Sequence, residues 1–133
     1  MASTVNLKLV KPVSESDSNK IGTLNGEADD IDIAIGGMLN ISVAGTGNIT
    51  LTRAQALNPT MKFTGLLTGN RTVILPVTLG CARRFTVWNA TTGAFTLTVK
   101  TDTGGSVGPT ITQTKIVECF HDGTDVKKSG TEV

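Results

Sequence analysis

Two cysteines, one histidine and a serine inside a GxSxG string are the residues of this 133-residue chain that chemistry would use first. The string is "GGSVG", Gly104 to Gly108, with Ser106 at its centre. A nucleophile elbow of that form needs a strand before it and a helix after it. Pro109 and a threonine-rich run follow instead, so the expectation is a loop. His121 is the only histidine, and a Ser-His-Asp arrangement would have to pass through "FHDG", which reads as a turn. A structural or solvent-facing histidine is expected there. Cys81, Cys119 and His121 are three soft ligands, one short of a closed zinc site. "EADDID" gathers Glu27, Asp29, Asp30 and Asp32 but lacks the glycine and ligand spacing of a calcium loop, so it is expected to be the wet face of a helix. No GxxxxGK phosphate loop occurs, and no aromatics interleave with basic residues as a single-strand nucleic-acid groove requires. The expectation is a protein that is not an enzyme and holds no cofactor and no metal.

The residues leave three readings of the cysteines open. Cys81 and Cys119 are small buried thiols, or one intrachain disulfide, or links between neighbouring subunits. As a disulfide they would close a loop of roughly 38 residues, worth about 4 kcal/mol in the chain-entropy account.

Composition narrows the fold. Only 4% of residues are aromatic and none is tyrosine, so the core must come from Val, Ile and Leu, at about 1.5–3 kcal/mol for each fully buried side chain. Threonine and 15 glycines point to many short strands joined by turns. A net charge of +1 offers no bulk basic field for nucleic acid. The charge is uneven, however. Residues 1–38 carry three lysines against six acids, and residues 39–133 carry nine basic residues against five acids. Such polarity orients subunits as they meet. The start "MASTVNLKLVKPV" does not read as a signal peptide, and no apolar run reaches the length of a membrane helix. Sequons at Asn40, Asn48, Asn70 and Asn89 are taken as by-products of an Asn- and Thr-rich sequence.

The elements that would position these residues are mostly strands. "VNLKLV" (5–10) alternates apolar and polar and ends before Pro12; "SESDSNK" reads as a loop or an arm. Leu24, Ala28, Ile31 and Ile35 lie at i, i+4, i+7 and i+11 and predict a short helix, with Asn25 as N-cap and Gly36-Gly37 as stop. From Leu39 onward the strands are short: "LNISVAG", "NITLT", "TMKFTG", "RTVILP", then "RFTVW" and "FTLTV" with "NATTG" between them, read as a hairpin that includes Trp88. "RAQALNP" reads as one turn of helix. "PTITQTKIVECF" is long enough for a bent strand, and the Asp-Gly pair of "HDGT" predicts a tight hairpin into "DVKK". No internal repeat stands out. The predicted fold is all-β: a single β-sandwich or jelly-roll-like barrel of short antiparallel strands with one short N-terminal helix. Residues 1–38 form an arm or oligomerisation segment and residues 39–133 the β-module.

The stretch from "NITLT" through "LTGNRTVILP" and "FTVWNATTGAFTLTVKT" to "DGTDV", about residues 45–126, resembles a β-module of virion proteins of tailed bacteriophages. "LVKPVSESDSNKIGTLNGEADDIDIAIGG" is similar to the opening of phage fibre proteins, where a Pro-containing strand leads into a helix at the start of a trimer. The resemblance implies a non-enzymatic structural protein of the virion surface, made in the host cytoplasm and forming a homo-oligomer, a trimer by expectation. Because the chain ends at Val133, directly after the module, a head decoration (cement) protein bridging major capsid protein subunits is expected ahead of a tail-fibre or tail-associated subunit that binds a host receptor or carbohydrate. Neither nucleic acid nor membrane is expected as a partner. Val5, Leu7, Leu9, Ile31 and Ile35 are the candidate subunit seam, with filling of the protein's own core as the other reading of Leu7, Leu9, Ile31 and Ile35.

Overall fold

The computed structural model describes residues 20–133, with side chains from residue 24 onward. Helix α1 (Lys20–Gly36) runs into strands β1 (Met38–Ser42) and β2 (Gly45–Thr50). A short helix α2 (Arg53–Ala56) precedes the long strand β3 (Thr60–Leu75). Then come β4 (Arg84–Thr92), β5 (Leu97–Thr101), β6 (Thr110–Ile111), β7 (Ile116–His121) and β8 (Val126–Lys128). The chain is therefore mostly β, as expected, with all eight strands joined in one curled sheet.

The strand directions differ from the expectation of a short-stranded antiparallel fold. β3 pairs in parallel with β1 and β4 through its first half and with β2 and β5 through its second half. Met38 lies opposite Thr60 and Thr60 opposite Thr86, steps of 22 and 26 residues. Thr50, Ile74 and Lys100 align with steps of 24 and 26. The chain thus winds through three stacked turns of a coil. Antiparallel pairing is confined to β4–β7, β5–β6 and β7–β8, which close the coil at its far end. The expected hairpin of "RFTVW" and "FTLTV" does not form, because β4 and β5 each lie against β3 and not against one another. Alternation of period two states which face of a strand is buried but not which way its neighbour runs. The spans between paired segments, residues 43–59 from β1 to the first half of β3 and 67–83 from there to β4, are long enough to cross over and permit the parallel choice.

Stacked registers build the core in columns. Leu39, Met61, Val87 and Val117 are successive partners across β1, β3, β4 and β7, as are Ile49, Val73 and Val99 across β2, β3 and β5. Phe63, Phe85, Leu67, Leu75 and Leu97 fill the space between the two halves of the coil and are fully buried. Trp88, included in the expected hairpin, points outward from β4, where the Lys62 ammonium lies 4.1 Å from the ring centroid. Phe95, the first residue of "FTLTV", is 41% exposed at the corner before β5.

One further boundary moved, and the one-turn helix expected at "RAQALNP" forms. α1 begins at Lys20, so Asn25 lies inside the helix and is not its cap. "RAQA" is a second helix, α2, whose start carries a capping box: Thr52 accepts from the Gln55 amide, and the Gln55 side chain accepts from the Thr52 amide. The Asp-Gly turn does form the β7–β8 hairpin. There Asp122 accepts from the Thr124 and Asp125 amides, and Gly123 has φ +99°. "VNLKLV" lies outside the described residues.

Each turn of the coil must bend between its halves, and Gly65 is where β3 does so. Its φ is +106°, and an added Cβ would lie 2.8 Å from Ser42 Oγ and 2.9 Å from the Ala44 amide of the turn beneath. Gly65→Ala is therefore expected to cost about 2–4 kcal/mol, the left-handed conformation and the overlap together. Gly104→Ala, in open space, is expected to be close to neutral. Denaturant unfolding of the two variants checks the difference.

Candidate functional site

Burial organises the residues with the most reactive side chains. Cys81 follows the turn after β3, and His121 ends β7, where its amide donates to the Arg83 carbonyl. This brings Cys81 Sγ within 3.2 Å of His121 Nε2 in the interior. Burial, reinforced by the charge of Asp102 and opposed by Arg83, pushes the Cys81 thiol up to about 12. Burial and then the Arg83 charge lower His121, while the Ala82 backbone and Asp122 pull the other way more weakly. A nucleophilic cysteine needs the reverse, a depressed thiol beside an imidazolium. The pair sits as neutral thiol and neutral imidazole at pH 7. Cys119, opposite Phe85 on the β4–β7 ladder, is likewise raised to about 11 by burial. Both cysteines are free and buried, the first of the three readings left open by the sequence.

The GxSxG string lies in the turn after β5 and leads into β6, with no helix behind it. Ser106 Oγ accepts from the Thr101 amide at 3.0 Å, a structural turn contact. Among the described residues no three His, Cys, Asp or Glu side chains gather as metal ligands, and no helix is long and apolar enough to cross a membrane.

Asn89 is the residue whose role sequence reasoning missed. It belongs to a sequon, yet it is fully buried on β4, above Phe63 in the column that starts at Ile41. Its Nδ2 donates to the Ile111 carbonyl at 2.7 Å, while its Oδ1 accepts from the Thr91 amide and hydroxyl. Its own backbone exchanges hydrogen bonds with Thr114 and Lys115. One side chain thus ties the last parallel turn to the antiparallel cap. The only available signal was a polar residue in an apolar slot of an alternating strand.

α1 carries the surface that folding leaves unused. Glu27, Asp30, Ile33 and Ala34 are half-buried, and Asp30 makes an ion pair with Arg53 of α2 at 2.8 Å. Gly37, just past the helix, packs so closely on Asn58 that a Cβ would lie 2.3 Å from its Oδ1. These contacts fix the helix with its apolar stripe outward. Leu24 is 53% exposed, Ile31 42% and Ile35 78%, and Met38 continues the line at 56%. Of the candidate seam residues, Ile31 and Ile35 therefore share one open face and do not fill this chain's core, whereas Val5, Leu7 and Leu9 lie outside the described residues. Glu27, Asp29 and Asp32 make no ion pair with any described residue. No family of known proteins, no curated protein and no solved structure matches the chain.

Two outcomes follow from the titrating groups and the buried amide. Because the folded state lowers His121, it binds that proton less tightly than the unfolded chain does, so stability is full above about pH 6.5 and declines as pH falls. Asp122 and Glu132, both lowered to about 2 by hydrogen bonds, add a second loss as pH falls through 4 toward 2. Denaturant midpoints across this range should show both steps, and His121→Leu should remove the upper one. Asn89→Ala is expected to cost about 2–3 kcal/mol, since the Ile111 carbonyl loses its donor in a buried site; calorimetry measures it.

Proposed function

We propose that this protein is a non-enzymatic structural subunit of a tailed-bacteriophage particle, acting as a capsid decoration (cement) protein that assembles as a trimer and reinforces the head. The observation that carries the assembly part is the outward apolar stripe of α1. Its residues are spaced four, three and four apart, the interval at which side chains of one helix meet those of a neighbour in a coiled seam. Each large side chain buried in such a seam contributes about 1.5–3 kcal/mol. A folded domain that leaves these residues in water, without an internal partner among the described residues, suits completion by another subunit. The placement on a phage particle rests on the resemblance of residues 45–126 to virion β-modules.

The mechanism that fits is bridging. A coil hydrogen-bonded from turn to turn through β3 is stiff, and three copies joined at α1 present three such bodies to the joints between major capsid protein subunits. Pressure from within must then break contacts made by the trimer as well as those of the shell. Half-buried threonines on the outer faces of β3, β4 and β5 (Thr64, Thr72, Thr86 and Thr98) hydrate well and keep these faces from sticking to one another.

Sedimentation equilibrium is expected to give a trimer for the wild type and a monomer for Ile31→Asp, with unchanged circular dichroism for both. A monomeric, fully folded wild type would overturn the seam. Mass spectrometry of separated heads and tails from the virion carrying the chain should find it with the heads, at copy numbers near that of the major capsid protein. A few copies with the tails would make it a fibre or tail-associated subunit instead.

A further inference from the structure

Beside the α1 stripe lies a second surface with apolar area in water, the outer face of the sheet made by β1, β3, β4 and β7. Register sets Met38, Thr60, Thr86 and Glu118 in one row across it, and Asn40, Lys62, Trp88 and Ile116 in the next. The alternate residues of these strands are buried, so both rows point away from the core. Trp88 and Ile116 are half-buried there and Met38 is exposed. At the foot of α1 this face meets the helix in a groove of about 340 Å³, lined by Ile35, Pro59, Thr60, Arg84, Thr86 and Glu118. The apolar line Leu24, Ile31, Ile35, Met38 thus runs from helix onto sheet without a break. Charge tells the two surfaces apart. At about 3.6 residues per turn, Glu27 and Asp32 fall on opposite flanks of the stripe, and neither is ion-paired among the described residues. On the sheet, Arg84 is matched by Glu118 and Lys127 by Asp122, whereas Lys62 makes no ion pair among the described residues and rests over the Trp88 ring. The helix has acids to spare and the face has a cation to spare.

We propose that this face receives α1 of a second copy of the chain, with the stripe laid along the groove and over Trp88 and with Asp32 against Lys62. The inference rests on the trimer proposed above and adds a helix-on-sheet contact to its helix-to-helix seam. A chain cannot serve itself in this way. Its own α1 is held to α2 by the Asp30–Arg53 pair and at Gly37 by Asn58, with Leu24, Ile31 and Ile35 turned to solvent. A neighbour's helix brings both things the face lacks, an apolar cover for the indole and an acid for Lys62. The contact joins unlike surfaces, so every copy gives one helix and receives one. Contacts of that kind close into a ring, as a trimer requires, where a contact between like surfaces stops at two copies.

Two measurements on the full-length protein decide this. Trp88 is the only tryptophan, so its fluorescence reports on the face directly. Acrylamide is expected to quench it several-fold less in the wild-type trimer than in the folded Ile31→Asp monomer. In sedimentation equilibrium, Lys62→Glu should weaken the trimer by about tenfold or more, with unchanged circular dichroism. Asp32→Lys alone should weaken it as well, and the two substitutions together should restore it. An indole as open in the trimer as in the monomer would overturn the docking and leave the helix-to-helix seam standing. A trimer tightened by Asp32→Lys would do the same, since a seam of helices alone gains from the loss of an acid. Weakening by both single variants without restoration by the pair would overturn the contact of Asp32 with Lys62. A monomeric wild type would remove docking and seam together. An indole equally protected in trimer and monomer would mean that the chain covers its own face, which overturns the second copy as the occupant.

Discussion

β3 is the constraint on which the molecule depends. Its sixteen residues hydrogen-bond along both sides, to β1 and β4 before the bend at Gly65 and to β2 and β5 after it. Four strands therefore take their register from one, and a slip of a single residue would turn Met61, Phe63, Leu67, Val73 and Leu75 out of the core together. Arg71 secures the corner of the first turn from within β3. Its guanidinium donates to the carbonyls of Val43, Ala44 and Thr46, which the bend would otherwise leave without partners. Few aromatics are needed when the same aliphatic column is repeated in each turn.

The rigid coil also explains why α1 is presented as it is. The helix is gripped at Asp30 by Arg53 and at Gly37 by Asn58, and both grips lead to α2 and the connection after it, which is itself set by the capping box at Thr52. Orientation is thus transmitted from coil to helix through polar contacts, leaving the apolar stripe unspent. The acids of α1 shape what the stripe can join. In the trimer proposed above, copies meeting helix to helix would bring Glu27 and Asp32 near one another, and salt that screens them would favour the seam.

Much of this was legible in the sequence, and the losses have physical causes. The strands were visible because Thr alternates with Val, Leu and Ile, and the helix because four apolar residues fall at coiled spacing. The stripe was legible even where the N-cap was not, since α1 begins at Lys20, ahead of Leu24, the first residue of the stripe. Strand direction was invisible: a period of two is the same in parallel and antiparallel ladders, and "NATTG" looks like a hairpin turn although Gly93 serves as a corner pressed on the Leu67 carbonyl. The repeat was hidden because stacked positions share only burial. Leu39, Met61 and Val87 are three different residues at uneven intervals.

Asn89 shows how far such stacking can be bent to another purpose. The column Ile41, Phe63, Asn89 is apolar for two turns and polar in the third. A third apolar residue would pack as well against Phe63, but it could not answer the Ile111 carbonyl, where the chain stops coiling and turns back. The polar choice is costly unless every bond is made, and here Nδ2 and Oδ1 are both engaged. One buried amide therefore marks the turn at which the coil ends. The opposite edge, β1 and β2, has no counterpart within the described chain, so the fold is terminated on one side and left extendable on the other.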